Sequence, residues 1–272
     1  MLKLENNERF SQKFVWAVWL LMAFQAGYVN VGGFVISGSF VSHVTGTSSN
    51  IGIGLANIDL YFLLTFVTVL VAFIGGAAFA GNYIGNYKDM GKKPRYILVT
   101  SIKCLFFFLI LLLSELDSQN ALHISQNAVN TLIIFFLSFC CGVQNSTCAL
   151  STNGFLKPTH MTGLSTDIGI NLIKHFPFKK AKTKEDEEAK KKNNLRLAIL
   201  FSFIFGGVIA SIIFNKNAHY GFIFPFMSAL CFLVMSFIYE NENILANNNL
   251  LRATKVSLFT VFFVTLAIGV TS

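Results

Sequence analysis

From Leu60 to Gly81 the chain carries no charged side chain. Six other stretches are nearly as apolar: about Phe14–Ile36, Tyr96–Ser114, Ala128–Leu150, Leu197–Phe214, Gly221–Tyr239 and Val256–Val270. A helix rising ~1.5 Å per residue needs ~20 residues to cross a ~30 Å hydrocarbon core, so each run reads as a membrane span. Lipid offers the backbone no hydrogen bonds. Only helices and closed barrels satisfy it there, and no strand-like alternation is present. An all-α, polytopic transmembrane bundle of seven helices is expected. The composition agrees, with 54% hydrophobic and only 12% charged residues, too few to solvate a water-soluble domain of this length. The first run has a basic flank, Arg9 and Lys13, like a cleaved leader. It is too long for one, and bulky Phe24 stands where a small residue is needed before Gln25 and Ala26, so it reads as the first span.

The net charge of +8 would point to nucleic acid in a soluble chain. Here the basic residues fall in alternate loops: residues 1–13, 82–95, 151–196 and 240–255. Threading the spans from an inside N-terminus leaves all but two of the 21 basic residues inside, the exceptions being Lys216 and Lys103, which lies within a span. That is the positive-inside rule. It predicts a multi-pass membrane protein with a cytoplasmic N-terminus, partnered by the lipid bilayer and not by nucleic acid. The five cysteines lie in or beside apolar spans, with no metal-type spacing and no outside loop to bridge.

One polar phrase occurs twice. Ser42–Gly54, SHVTGTSSNIGIG, returns as Thr159–Asn171, THMTGLSTDIGIN. His43, Thr45 and Gly46 align with His160, Thr162 and Gly163, and Asn50 aligns with Asp167. Upstream, Gly27 and Asn30 align with Gly142 and Asn145; downstream, Gly75-Gly76 has a counterpart in Gly206-Gly207. The chain therefore divides into a three-helix repeat at 1–126, a second at 127–254 carrying a Lys-rich loop at 174–196, and an extra helix at 255–272. An odd number of spans per repeat inverts the second half, giving 3+3 inverted-topology repeats, an architecture common in transporters. If the phrases crossed the membrane completely, a basic loop would face outside, which the charge pattern disfavours.

Thr45-Gly46 and Thr162-Gly163 read as N-caps of short helices, about Thr47–Ala56 and Leu164–Ile173. These are too short to span. They lie on the surface or dip in as re-entrant half-helices, and in the second case their positive ends could meet near the midplane. Small residues also serve as plain helix–helix glue, but glue does not require His, Thr and Gly at matching offsets.

The paired stretches GYVNVGGFVISGSFVSHVTGTSSNIGIGLA and CGVQNSTCALSTNGFLKPTHMTGLSTDIGINL resemble the bacterial YoaK-type integral membrane proteins, over nearly the whole chain. Their pattern is a His-Val-Thr-Gly phrase after the first span and a Thr-His-Met/Val-Thr-Gly-x-x-Thr-Asp phrase after the fourth. This chain departs from it at Thr47, where Asn is usual, and in a longer Lys179–Lys192 stretch. The resemblance implies a membrane protein and brings no established activity.

The candidate substrate-binding residues are His43, Thr45, Gly46, Asn50, His160, Thr162, Gly163, Asp167 and Lys103. An intramembrane Lys is a functional hypothesis in itself, though Lys103 lies only ~12 Å along the helix from Arg95 and a lysine can snorkel. Asp167 is a candidate partner for it or a protonatable group. Gln25, Asn30, Gln144 and Asn145 are accounted for by interhelical hydrogen bonds. No nucleotide loop, Ser/His/Asp set or zinc motif is present, so neither an enzyme nor a cofactor is expected. The leading expectation is a transporter or channel for a small polar solute, an anion before a metal cation, with homo-oligomerisation left open. A non-transporting sensor, assembly factor or intramembrane enzyme is the alternative.

Overall fold

The computed structural model describes residues 12–119, 125–174, 184–218 and 220–241, and they form an all-helical bundle. In chain order the elements are α1 Gln12–Ser37, α2 Val44–Asn57, α3 Leu60–Asp89, α4 Tyr96–Ser118, α5 Gln126–Ser151, α6 Met161–Lys174, α7 Lys184–Lys216 and α8 Ile223–Glu240. Six of these, α1, α3, α4, α5, α7 and α8, are long and apolar enough to cross a membrane. The expected seventh span, Val256–Val270, lies outside the described residues. Phe201, Phe205, Val71 and Ile74 are exposed on the outer faces of α7 and α3, a surface suited to lipid rather than water.

Two differences from the sequence reading concern boundaries. The segment read as a loop before the fifth span is helical from Lys184, because its Glu, Lys and Ala residues are strong helix formers. In α3 the last turns widen into a π-helix, Gly81–Asn86. There Gly85 packs against Leu150, while Gly81 faces open space.

The halves pack by exchanging partners. α1 packs against α7, and its equivalent α5 packs against α3. The glycines show why. A Cβ on Gly27 would sit 1.9 Å from the Phe203 carbonyl oxygen, and one on Gly142 would sit 2.0 Å from that of Phe73. On the facing helices, Gly206 and Gly76 each meet a carbonyl at 2.1 Å, those of Phe24 and Phe139. Four glycines thus let two helix pairs touch backbone to backbone. They also correct the alignment by one residue, since Gly76 matches Gly206 and not Gly207.

The inversion is visible in which residues meet. Met22 of α1 reaches Gln144 and Cys148 of α5, while Gly33 lies against Leu137, so these equivalent helices run antiparallel. Equivalent α4 and α8 do the same: Tyr96 meets Tyr239, Lys103 meets Phe232, and Phe108 meets Phe226. An approximate two-fold axis across the helices relates the halves.

Candidate functional site

Both phrases are tied back to the helix they follow. The Asn30 side-chain oxygen accepts from the Ser42 N–H at 3.1 Å and the Ser42 hydroxyl at 2.8 Å. In the second half the Asn145 oxygen accepts from the Thr159 N–H at 3.1 Å, and its amide donates to the Thr159 hydroxyl. Asn30 lies seven residues before the end of α1, or ~10 Å along it, and Asn145 lies ~9 Å before the end of α5. The chain therefore leaves each span, runs back beside its last turns, and starts the short helix from below. The short helices thus begin level with the last turns of the preceding span and not beyond its end.

The caps differ from the expectation. α2 starts at Val44 and α6 at Met161, with His43 and His160 at the head. Their carbonyls accept the first helical bonds, from Thr47 at 2.9 Å and Leu164 at 3.2 Å. No side chain caps α2. Instead each imidazole folds onto the glycine three residues on. A Cβ at Gly46 or Gly163 would stand 2.3 Å from its ring, so any other residue there would push the imidazole aside. Thr45 and Thr162 fall in the first turn, where their carbonyls accept from the hydroxyls of Ser49 and Thr166. Thr45, Thr162, His43 and His160 are exposed; Asn50 is half-buried.

The phrases do not meet. Gln144, beside Asn145, touches α1 at Met22. Asn30 lies eight residues further along α1, so the two anchors are ~12 Å apart along the helix axis. Nor does Asp167 partner Lys103, since its carboxylate lies 3.1 Å from Arg196 on α7.

Lys103 stands alone in chemical character. It is 4% exposed, in the middle of the bundle, so the snorkelling reading is overturned. Its Nζ donates to the Gln25 Oε1 at 2.7 Å and to the Gln144 Oε1. The rings of Phe107 and Phe232 lie at 5.7 and 5.2 Å from it. The glutamines are themselves fixed. Gln25 donates to the Ser228 hydroxyl at 2.6 Å and the Pro225 carbonyl at 3.1 Å; Gln144 donates to the Met22 carbonyl at 2.7 Å. Among the described residues no carboxylate is paired with Lys103. Four helices, α1, α4, α5 and α8, thus surround one lysine whose hydrogen-bond partners are neutral oxygens. Among the described residues no three His, Cys, Asp or Glu side chains are grouped to hold a metal.

A cavity flanks this centre on one side and packed aromatic rings flank it on the other. The cavity, of about 660 Å³ with its mouth included, opens between the same four helices and is lined by Val18, Met22, Tyr96, Thr147, Phe232 and Tyr239, among others. Phe232 and Met22 form its wall toward Lys103. At the mouth, Glu240 accepts from the Ile97 N–H at 2.7 Å, joining the ends of α8 and α4. On the other side of Gln25 the path is filled by Phe24, Tyr28, Phe214, Phe222 and Phe224, all buried and in ring contact, with the Tyr28 hydroxyl on the Gly221 carbonyl.

A family model described as Protein of unknown function (DUF1275) matches residues 18–238, which take in both phrases, the lysine centre and all six spans in whole or large part. The chain belongs to this family. The YoaK-type likeness read from the phrases is to the same DUF1275 family. No curated protein and no solved structure matches the chain.

Sequence reasoning singled out Lys103 but not Gln25, Gln144, Phe232 or Thr147. A signal for the glutamines was present. With Gly27 on Gly142, Gln25 aligns with Cys140 and Gln144 with Val29. They are among the polar positions in these spans that the repeat does not copy.

Proposed function

We propose that this protein moves a small anionic solute across the bacterial cytoplasmic membrane, binding it at Lys103. The observation that carries the reading is a buried lysine held only by neutral oxygens beside a cavity open to one end of the bundle. A lone buried charge is costly, and a site that keeps one inside a membrane has a use for it. Inverted halves supply two near-equivalent packings, one open to each side, as alternating access requires. In the packing described here, the aromatic plug closes one side and the cavity opens the other. The charge pattern supports a cytoplasmic position for the open end.

Flux into proteoliposomes over a panel of organic acids, simple anions, amino acids and cations tests this. Anion flux above empty liposomes, lost in Lys103→Met, is the expected result. Absence of flux across the panel overturns the proposal, as does cation flux indifferent to Lys103. Single cysteines at Ser48 and Ser165, both exposed, are expected to label from opposite faces of the membrane.

A further inference from the structure

The cavity and the lysine, taken together, narrow the ligand to one chemical class. Resting on the transport reading of the same site, we infer that the ligand is a monocarboxylate with a compact apolar body. The acid head would be held by Lys103 and the body by the cavity.

The argument starts from the cavity wall. Aliphatic, methionine and aromatic side chains make up most of it, and the enclosed part is small, with room for a compact body only. A fully hydrated ion would gain nothing from such a lining. Of its threonine and serine hydroxyls, those of Thr100 and Ser236 donate to carbonyls of their own helices, at Tyr96 and Phe232, whereas the Thr147 hydroxyl is buried and has no hydrogen-bond partner. A buried hydroxyl without a partner is uncommon, and this one belongs to the lining.

The second step is the charge count. Lys103 has three N–H donors, of which two are taken by Gln25 and Gln144. The third is left for a ligand, and the Phe232 ring, 5.2 Å from Nζ, stands in the cavity wall. One ammonium neutralises one negative charge. A doubly charged oxyanion would leave its second charge buried among phenylalanines at high cost. A zwitterion would need a carboxylate for its amine; that of Glu240 stands out at the mouth, held by the Ile97 N–H, and among the described residues none is paired with Lys103. A monocarboxylate meets every condition. One oxygen takes the free Lys103 donor, the Thr147 hydroxyl supplies a further hydrogen bond along the path, and the apolar body replaces water in the cavity. Phe232 must swing aside for the head to reach Nζ, which makes its ring the inner gate.

The test is thermal unfolding of the purified full chain in detergent, with a ligand that binds the folded state raising the midpoint by mass action. Benzoate is expected to raise it saturably; benzamide, of the same shape but uncharged, and inorganic sulfate are not. Lys103→Met is expected to weaken benzoate binding by ~10-fold or more, the worth of a charge-assisted hydrogen bond. Palmitate serves as the second arm. Stabilisation by palmitate and not benzoate overturns the compact body and makes the ligand a long-chain acid drawn from the bilayer. Equal stabilisation by benzamide and benzoate overturns the inference, and that comparison needs no variant to fold. So does stabilisation by sulfate alone, or benzoate binding undiminished in Lys103→Met. Carboxylate binding without flux keeps this inference and removes transport; flux of another anion, dependent on Lys103 and without carboxylate binding, does the reverse.

Discussion

Asn30 holds Ser42 in the first half as Asn145 holds Thr159 in the second, and His43 covers Gly46 as His160 covers Gly163. Around Lys103 nothing is copied. Gln25 faces it from α1 where the repeat has Cys140, and Gln144 faces it from α5 where the repeat has Val29. The phrases thus have the character of a scaffold, used twice because both halves need the same turn. The lysine centre has the character of a site, built once, near the axis, from residues that break the symmetry. A ligand bound near a two-fold axis meets both halves at once, so specificity there must come from such differences.

The largest effect that sharpens this contrast is expected at the glycine contacts. Gly27→Ala and Gly142→Ala each drive a methyl to about 2 Å from a backbone oxygen, which no side-chain rotation relieves. Overpacking of this kind costs about 1–3 kcal/mol, and separating two membrane helices places these variants at the top of that range. Both are expected to lose most of the folded protein, and to similar degrees, as measured by monodisperse yield after extraction. A large loss in one and none in the other would break the equivalence of the halves.

Next comes the centre itself. Lys103→Met alone leaves the Gln25 and Gln144 oxygens buried without a donor, at about 1–3 kcal/mol each. Adding Gln25→Leu and Gln144→Leu removes those orphans. Replacing a buried charged cluster by packed apolar groups is often neutral or stabilising by about 1–4 kcal/mol. The triple variant is therefore expected to melt at or above the wild type in detergent while showing no flux. A triple variant that unfolds would show the cluster to be structural and erase the distinction from the phrases.

This contrast was only half legible in the sequence. The spans, their order and the inversion follow from apolar run length, loop charge and an odd span count, because lipid constrains those strongly. The paired phrases drew attention as a site because repetition is easy to see. A site built at a symmetry axis has no second copy, and Gln25 and Gln144 look like ordinary interhelical glue until their distances to Lys103 are known. Packing also decided the caps. The preference of Thr for the N-cap lost to an imidazole seated on glycine, an arrangement no local propensity encodes.

A smaller effect is expected at the anchors. Asn30→Ala and Asn145→Ala each remove two hydrogen bonds of about 0.5–1.5 kcal/mol. Hydrogen exchange at Ser42–Gly46 and Thr159–Gly163 is expected to quicken in the mutated half only, with flux reduced but retained. Flux abolished by one and spared by the other would give that phrase a role its twin lacks.

The smallest effect belongs to Asp167. Its ion pair with Arg196 is half exposed on the acid's side, 51%, and such pairs contribute about 0.2–1 kcal/mol. The equivalent position in the first half is Asn50, so Asp167→Asn copies onto the second phrase what the first already has. If the phrases are scaffold, this swap is nearly silent. Stability in detergent is expected to fall by less than about 1 kcal/mol, and the pH profile of flux to match the wild type. A shifted profile would make Asp167 a proton-coupling group. The polar phrase would then belong to the mechanism, and the two halves would differ where the scaffold reading requires them to be the same.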